Sequence, residues 1–151
     1  MAGLSYERCE VGAVLRHEPS RTVTEADNVL FCAQTMNPQP LHLDHEFARQ
    51  SIHGQPLVNG LYTLGLMMGL TVNDTTLATT GGNLGFEDVR FPVPVFVGDT
   101  LSSESEILSK RPSASRPEFG VVEFEHRCRN QDDTVVLSCR RFALMAREGA
   151  S

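Results

Sequence analysis

The sequence predicts an α+β fold in which an antiparallel sheet of about five strands wraps one buried helix. Three observations predict it. The stretch from Leu57 to Thr71 is apolar almost all round, the pattern of a helix buried on every side. Four segments of β-type composition follow it between Gly82 and Arg147. Helix and strands are segregated along the chain, as α+β architectures require. With 151 residues, 40% of them hydrophobic, a chain buries roughly 70% of the surface its unfolded form exposes. A single domain over 1–151 is expected, held by its core without disulfide or structural metal.

Each element has its own signal. Val14-Leu15 is a short extended stretch. Thr24 is a good N-cap, and Glu25 and Asp27 place negative charge where a helix dipole favours it. A helix from about Glu25 to Thr35 follows, with Ala26, Val29, Leu30 and Ala33 at helical spacing. Pro38 and Pro40 make Met36 to Leu43 a stiff irregular loop. Asp44 caps a short helix, His45 to Gln50, which Gly54 and Pro56 terminate. In the central helix Leu57, Leu61, Leu64, Met68 and Val72 recur at spacings of three and four, while Gly60, Gly65 and Gly69 thin it. Each costs roughly 1 kcal/mol against Ala, and each permits close approach of another backbone.

The strands read as Gly82 to Phe91, Thr100 to Lys110, Phe119 to Arg129 and Thr134 to Arg147. In the third, Val122, Phe124, His126 and Cys128 alternate with Glu123, Glu125, Arg127 and Arg129, one face dry and one wet. Pro92 and Pro94 end the first strand, Gly98-Asp99 is a turn, and Asn130 to Asp133 is a polar hairpin turn. An exposed edge strand invites pairing, so a homodimer or a dimer of dimers is expected.

Composition excludes several roles. Lys+Arg is 13 against Asp+Glu 19, a net charge of -6, and nucleic-acid binding needs a basic face. The longest strongly apolar run, Leu64 to Val72, is far short of the ~20 residues that span a bilayer. Met1 to Glu10 carries charges and no apolar core of a signal peptide. A cytoplasmic protein with no nucleic-acid or membrane partner is expected. The basic clusters Lys110-Arg111, Arg127 to Arg129 and Arg140-Arg141 read as solvated strand edges, with a landing site for a phosphorylated ligand as the alternative. Cys9, Cys32, Cys128 and Cys139 form no C-x-x-C pair and read as structural thiols.

Chemistry concentrates in two places. In Thr35 to Ala48, two prolines stiffen a loop that carries Asn37 and His42, and histidine is the side chain suited to acid–base work near neutral pH. His42-x-Asp44-His45 has the look of a metal cluster, but a capping Asp44 beside an exposed His45 explains it better. The second place is Leu57-Val58-Asn59-Gly60 at the start of the central helix. Unpaired N–H groups there, with a glycine admitting close approach, suit an oxyanion.

These blocks resemble the MaoC-like hydratase family, the (R)-specific enoyl-CoA hydratases. The family pattern runs roughly Gly-Asp-x-Asn-Pro-x-His-x-Asp with a following Phe-Ala or Tyr-Ala. Here Pro40, Leu41, His42, Leu43, Asp44, Phe47 and Ala48 fall in register. Gln55 to Gly60 resembles the family's approach to its central helix. Val89-Arg90-Phe91 and Pro94 to Leu101 resemble its strand-and-turn block. The likeness spans about residue 10 to residue 146. It implies the dimeric hot-dog fold and syn addition of water to a 2-enoyl-CoA thioester, with CoA as part of the substrate and no separate cofactor or metal.

By the same resemblance, His42 is the acid/base and the Gly60 N–H the oxyanion donor. Asn37 stands where the family has its aspartate, and Gln39 where it has asparagine. An amide has no titratable proton near pH 7, so His42 carries the proton transfers and Asn37 orients water or substrate. Substrate contacts are expected from Gln39, Asn59, Leu61, Tyr62, Thr63, Gly85, Phe86 and Arg90. The Thr-Met-Asn-x-x-Pro-Leu-His-Leu-Asp variant resembles a branch associated with itaconyl-CoA, mesaconyl-CoA and β-methylmalyl-CoA. A substrate bearing its own carboxylate needs a nearby cation, with Arg90 and His53 as candidates. A hot-dog thioesterase is the alternative, although no Asp or Glu lies between Gln50 and Asp74. A non-catalytic acyl-CoA binder, or one half of a heteromeric hydratase, is the third reading, and Asn37 favours it.

Overall fold

The computed structural model describes residues 3–149. The element order is β1 (Val14–Arg16), β2 (Arg21–Thr22), α1 (Glu25–Gln34), α2 (Pro40–Leu43), α3 (His45–Arg49), α4 (Gly60–Thr75), β3 (Thr80–Arg90), β4 (Thr100–Pro112), β5 (Phe119–Arg129) and β6 (Val135–Ala146). One antiparallel sheet runs β1-β4-β5-β6-β3, and the two-residue β2 also pairs with β4. The expected sheet is present, with β2 as an additional short strand.

Helix α4 crosses the inner face of this sheet, but its bounds are shifted from the expected ones. It starts at Gly60 because Asn59 is extended and its side chain caps the Leu61 N–H. Leu57 and Val58 are held as backbone partners of Phe96 and Val95 instead. It continues to Thr75, and the Thr71 and Thr75 hydroxyls donate back to the Met68 and Thr71 carbonyls within the last turns. Thr63, Met67, Leu70, Thr71 and Thr75 face the sheet. The opposite stripe, Leu61, Gly65, Gly69 and Asn73, is exposed, so the helix is not covered on every side within one chain. A Cβ at Gly65 or Gly69 would meet nothing within 4 Å, and the expected backbone approach is not made there.

Helix α1 begins as expected, with a reciprocal capping box between Thr24 and Asp27. Its face is the reverse of the one its apolar spacing suggests. Ala26, Val29, Leu30 and Ala33 are exposed, while Asn28 and Cys32 are buried. The stretch expected to be irregular contains α2, with Pro40 at its first turn and Gln39 capping it. Proline suits a first turn because its missing N–H is not needed there.

In β5 the predicted alternation holds, and Val122, Phe124, His126 and Cys128 are fully buried. Two apolar clusters result. One joins Met67 of α4 to Val58, Leu101, Cys128, Leu137 and Cys139. The other gathers Tyr6, Cys9, Ile107, Val122, Phe124 and Met145. Burial raises the thiol pKa of Cys9 and Cys139 to about 11 and that of Cys128 to about 12, so these cysteines are inert packing groups.

A polar chain runs through the interior of the sheet. His17 Nδ1 donates to Asp74 Oδ2 at 2.8 Å, Ser105 Oγ lies 2.8 Å from His17 Nε2, and His126 Nδ1 lies 2.7 Å from the same hydroxyl. One direction of donation satisfies all three contacts: His126 to Ser105, Ser105 to His17, His17 to Asp74. The outer face is charged. Arg127 pairs with Glu104, Glu106 and Glu125, and Arg140 with Glu87, Asp88 and Glu123. Arg8, Arg16, Arg21, Arg49, Arg129 and Arg147 also hold carboxylates. Two of the basic sequence clusters are therefore solvated outer-face ion pairs in part. No described helix is long and apolar enough to cross a membrane.

Candidate active site

The loop bearing His42 is built against the start of α4. The Leu57 N–H donates to the Leu41 carbonyl at 3.1 Å, and the Val58 N–H to the Val95 carbonyl at 2.9 Å. Loop, helix start and the 93–96 segment therefore form one hydrogen-bonded unit. At its centre is Asn28 of α1, 1% exposed. Its Nδ2 donates to the His42 and Leu57 carbonyls at 3.1 and 3.2 Å, and its Oδ1 accepts from the Asn59 N–H at 2.9 Å. One amide thus ties together three main-chain groups from both halves of the site.

His42 is half-buried. Its Nδ1 lies 2.7 Å from the Leu57 carbonyl oxygen. A carbonyl only accepts, so Nδ1 carries the hydrogen, and in the neutral ring Nε2 keeps the lone pair. This is the tautomer a general base needs at Nε2, set by a main-chain atom that does not titrate.

Leu57 also lines a cavity of about 330 Å³, together with His53, Val58, Gly60, Thr63, Phe91, Val93 and Val95. Most of these side chains are apolar, as expected where an acyl group is to be sheltered from water. Gly60 is the first helical residue of α4, and its N–H donates to no acceptor among the described residues. A Cβ on Gly60 would fall 2.9 Å from Phe91 Cε1, so only glycine fits beneath that ring. A bare N–H at a helix start, facing an apolar cavity, is a donor for an oxygen that gains negative charge.

The remaining expected residues divide. Asn59 and Thr63 are buried at the helix start, and Thr63 lines the cavity. Leu61 points outward, 62% exposed. Tyr62 packs edge-on against Phe31, with ring centroids 5.9 Å apart, and burial raises its phenol pKa, with the Asp27 carboxylate adding to the rise. Asn37 does not reach toward His42 through its oxygen: Oδ1 accepts the Gln39 N–H at 3.0 Å. Gln39 is likewise turned onto its own loop, capping the Leu41 N–H. Phe86 packs on the core cluster that contains Met67, and the Gly85 N–H donates to Asn83. His53 lines the cavity, whereas Arg90 lines a separate polar pocket with Asp88 and Arg140.

Asp44 caps α3 through the Glu46 and Phe47 N–H groups, and His45 pairs with Glu25. Among the described residues no three His, Cys, Asp or Glu side chains stand together to hold a metal ion. The residue missed from the sequence is Asn28. It lies in the apolar-spaced helix α1, and nothing local marks it as facing inward.

Comparison with known proteins places these features in a family. The family described as MaoC like domain matches residues 8–126. A mesaconyl-CoA hydratase of Haloarcula marismortui is 34% identical over 152 residues, covering 99% of this chain and 42% of that protein. An (R)-specific enoyl-CoA hydratase of Aeromonas caviae is 32% identical over 108 residues, 72% of this chain and 78% of that one. A Mycobacterium tuberculosis structure described as having a double hotdog fold superposes with a TM-score of 0.87 at 20% identity, covering 99% of this chain and 46% of that one. The chain thus spans less than half the length of the mesaconyl-CoA hydratase it matches.

Proposed function

The chain belongs to the MaoC-like domain family, with a hot-dog fold, and on that premise we propose that it is a hydratase/dehydratase of 2-enoyl-CoA thioesters. One observation carries the reading. His42 is locked by the Leu57 carbonyl with its lone pair on Nε2, and Leu57 lines an apolar cavity together with Gly60, whose N–H lacks an acceptor among the described residues.

The proposed chemistry balances with these two groups. The thioester carbonyl oxygen accepts from the Gly60 N–H. His42 Nε2 takes a proton from a water whose oxygen bonds to the β-carbon, and negative charge develops on the carbonyl oxygen. The imidazolium returns that proton to the α-carbon on the same face. Acid–base participation of this kind contributes roughly 10²–10⁴-fold, and an oriented N–H in a site shielded from water adds about 10²–10³-fold. The Asn37 amide orients water or substrate.

The substrate we propose is a branched C5 dicarboxylyl-CoA, mesaconyl-CoA or itaconyl-CoA. The name of the Haloarcula relative supports it, and so does charge. Two carboxylates 4 Å apart repel by about 4 kcal/mol at an effective dielectric of 20. Asn37 in place of an acid removes that repulsion. A homodimer, formed at the unpaired edge of β3 and the exposed Leu61–Gly65–Gly69 stripe, fits the same reading.

The test follows absorbance of the conjugated thioester on crotonyl-, hexenoyl-, mesaconyl- and itaconyl-CoA, with free thiol monitored alongside. Hydrated product without thiol release is expected, with the C5 diacids preferred. Thiol release points to a thioesterase, and silence on all four to a binding protein. In Asn37→Asp, activity on the C5 diacid should fall relative to crotonyl-CoA by about tenfold or more, as 1.4 kcal/mol of restored repulsion requires. An unchanged ratio removes the charge argument.

A further inference from the structure

Among the described residues, only Arg90, Lys110, Arg111, Arg116 and Arg141 lack a carboxylate partner within 4 Å, in a chain of net charge -6. Lys110 is occupied by the Tyr6 and Glu7 carbonyls, and Arg141 is buried. Arg111 and Arg116 are different. They lie on the loop that joins β4 to β5, and both line one cavity of about 320 Å³ with Ser113, Ser115 and Leu84.

That cavity has no acidic lining residue. The other polar cavities described each contain carboxylates: Asp88 and Glu125 in one, Glu104 and Asp133 in the next, Glu7, Glu118 and Glu148 in the third. The guanidinium of Arg111 makes a single 3.5 Å contact, to the Pro112 carbonyl. The Ser113 hydroxyl oxygen accepts from the Arg116 N–H at 3.2 Å, which folds the loop back on itself and leaves the hydroxyl hydrogen to donate outward. Two guanidinium groups without counter-ions and two serine hydroxyls are a donor set with no carboxylate to accept from it. Phosphate oxygens match it, because guanidinium engages them in paired hydrogen bonds.

Resting on the acyl-CoA reading above, we propose that Arg111 and Arg116, with Ser113 and Ser115, form the subsite for the phosphate groups of the coenzyme A arm. The cavity is reached at Leu84 of β3, and the same strand leads to Phe91 over Gly60. The seven residue steps from Leu84 to Phe91 span roughly 23 Å of extended chain, the scale of an extended pantetheine arm. The acyl group and the phosphates thus occupy opposite ends of one strand.

The test compares an enoyl-CoA with the N-acetylcysteamine thioester of the same acyl group, which has no phosphate. In Arg111→Ala/Arg116→Ala, KM for the CoA thioester should rise about tenfold or more, with kcat held. KM for the truncated thioester should stay the same. Arg111→Lys/Arg116→Lys should recover part of the loss by restoring charge without the paired geometry. An unchanged KM for the CoA thioester overturns the proposal, and so does an equal loss on both thioesters. Calorimetric titration with adenosine 3′,5′-bisphosphate gives a readout that needs no turnover. Saturable binding lost in the double variant supports the subsite even where the wild-type chain hydrates neither thioester. Inorganic phosphate binding as tightly as the nucleotide overturns the assignment to coenzyme A.

Discussion

Two histidine networks occupy this small protein, and they have opposite fates. In one, Asp74, His17, Ser105 and His126 follow one another at 2.7–2.8 Å, and the first three repeat the acid–histidine–serine order of a nucleophilic site. In the other, the His42 ring makes one hydrogen bond, to a main-chain carbonyl. The richer network is the sealed one. Ser105 and His126 have no exposed surface, so no substrate meets the hydroxyl. The poorer network leaves Nε2 without a partner among the described residues, on a half-buried ring whose acceptor Leu57 lines a cavity. Placement relative to open space, rather than number of partners, makes His42 the candidate for chemistry and His126 a residue that holds the sheet together.

The largest effect should come from breaking the open network. His42→Ala is expected to lower kcat for enoyl thioester hydration by roughly 10²–10⁴, with the unfolding midpoint nearly unchanged, because the ring is only half-buried and makes one side-chain hydrogen bond. Paired measurement of turnover and urea unfolding checks both parts. A variant that keeps its turnover sinks the assignment of His42, and one that loses its fold makes His42 a structural residue like His126.

The sealed network should answer to pH instead. Burial, then the positive charge of Arg141, then His17 hold the His126 pKa down at about 3, and its Nε2 has no hydrogen-bond partner. Asp74, half-exposed at the far end of the chain, is the acidic group of this network. The unfolded chain protonates that imidazole below about pH 6.5, whereas the folded chain does not until about pH 3. Its contribution to stability is therefore complete above pH 6.5 and declines as the pH falls from 6.5 toward 3, by at most about 5 kcal/mol. The difference in unfolding free energy between wild type and His126→Gln, followed from pH 7 to pH 4, isolates it from the carboxylates. The wild type should lose its advantage as the pH falls, and a flat difference would show that the ring is not kept neutral.

The contrast was only partly legible in the sequence, and the reason lies in what each feature depends on. Thr24, Asp44 and the alternation of β5 act through local hydrogen bonds and the pleat, so α1, α3 and the dry face of the sheet appear where expected. His42 and Gly60 are recognisable because the loop and helix start that carry them are continuous in sequence. The inner face of α1 was not legible. Its apolar residues point outward, and a buried asparagine replaces them, because the groups it serves are main-chain atoms of residues 42, 57 and 59. The exposed stripe of α4 escaped for the same reason, since it concerns a surface outside the chain's own packing.

Asn28 therefore offers the finest cut between the two networks. It touches His42 only through the backbone, and its loss leaves the His42 carbonyl and the Asn59 N–H unpaired in the interior and the Leu57 carbonyl with the His42 ring as its remaining partner. Each such group costs about 1–3 kcal/mol where solvent cannot reach it, and partial relaxation of the loop offsets some of that. Asn28→Ala should lower unfolding free energy by about 2 kcal/mol and reduce kcat more than it raises KM, because the carbonyl of Leu57 that sets the His42 tautomer moves with the loop. Asn28→Asp should do no better. It retains an acceptor for the Asn59 N–H but sets a negative charge against two carbonyl oxygens. A variant that loses stability while its kcat stays at the wild-type value would separate the scaffold from the chemistry and show that the Leu57 carbonyl keeps its place without Asn28.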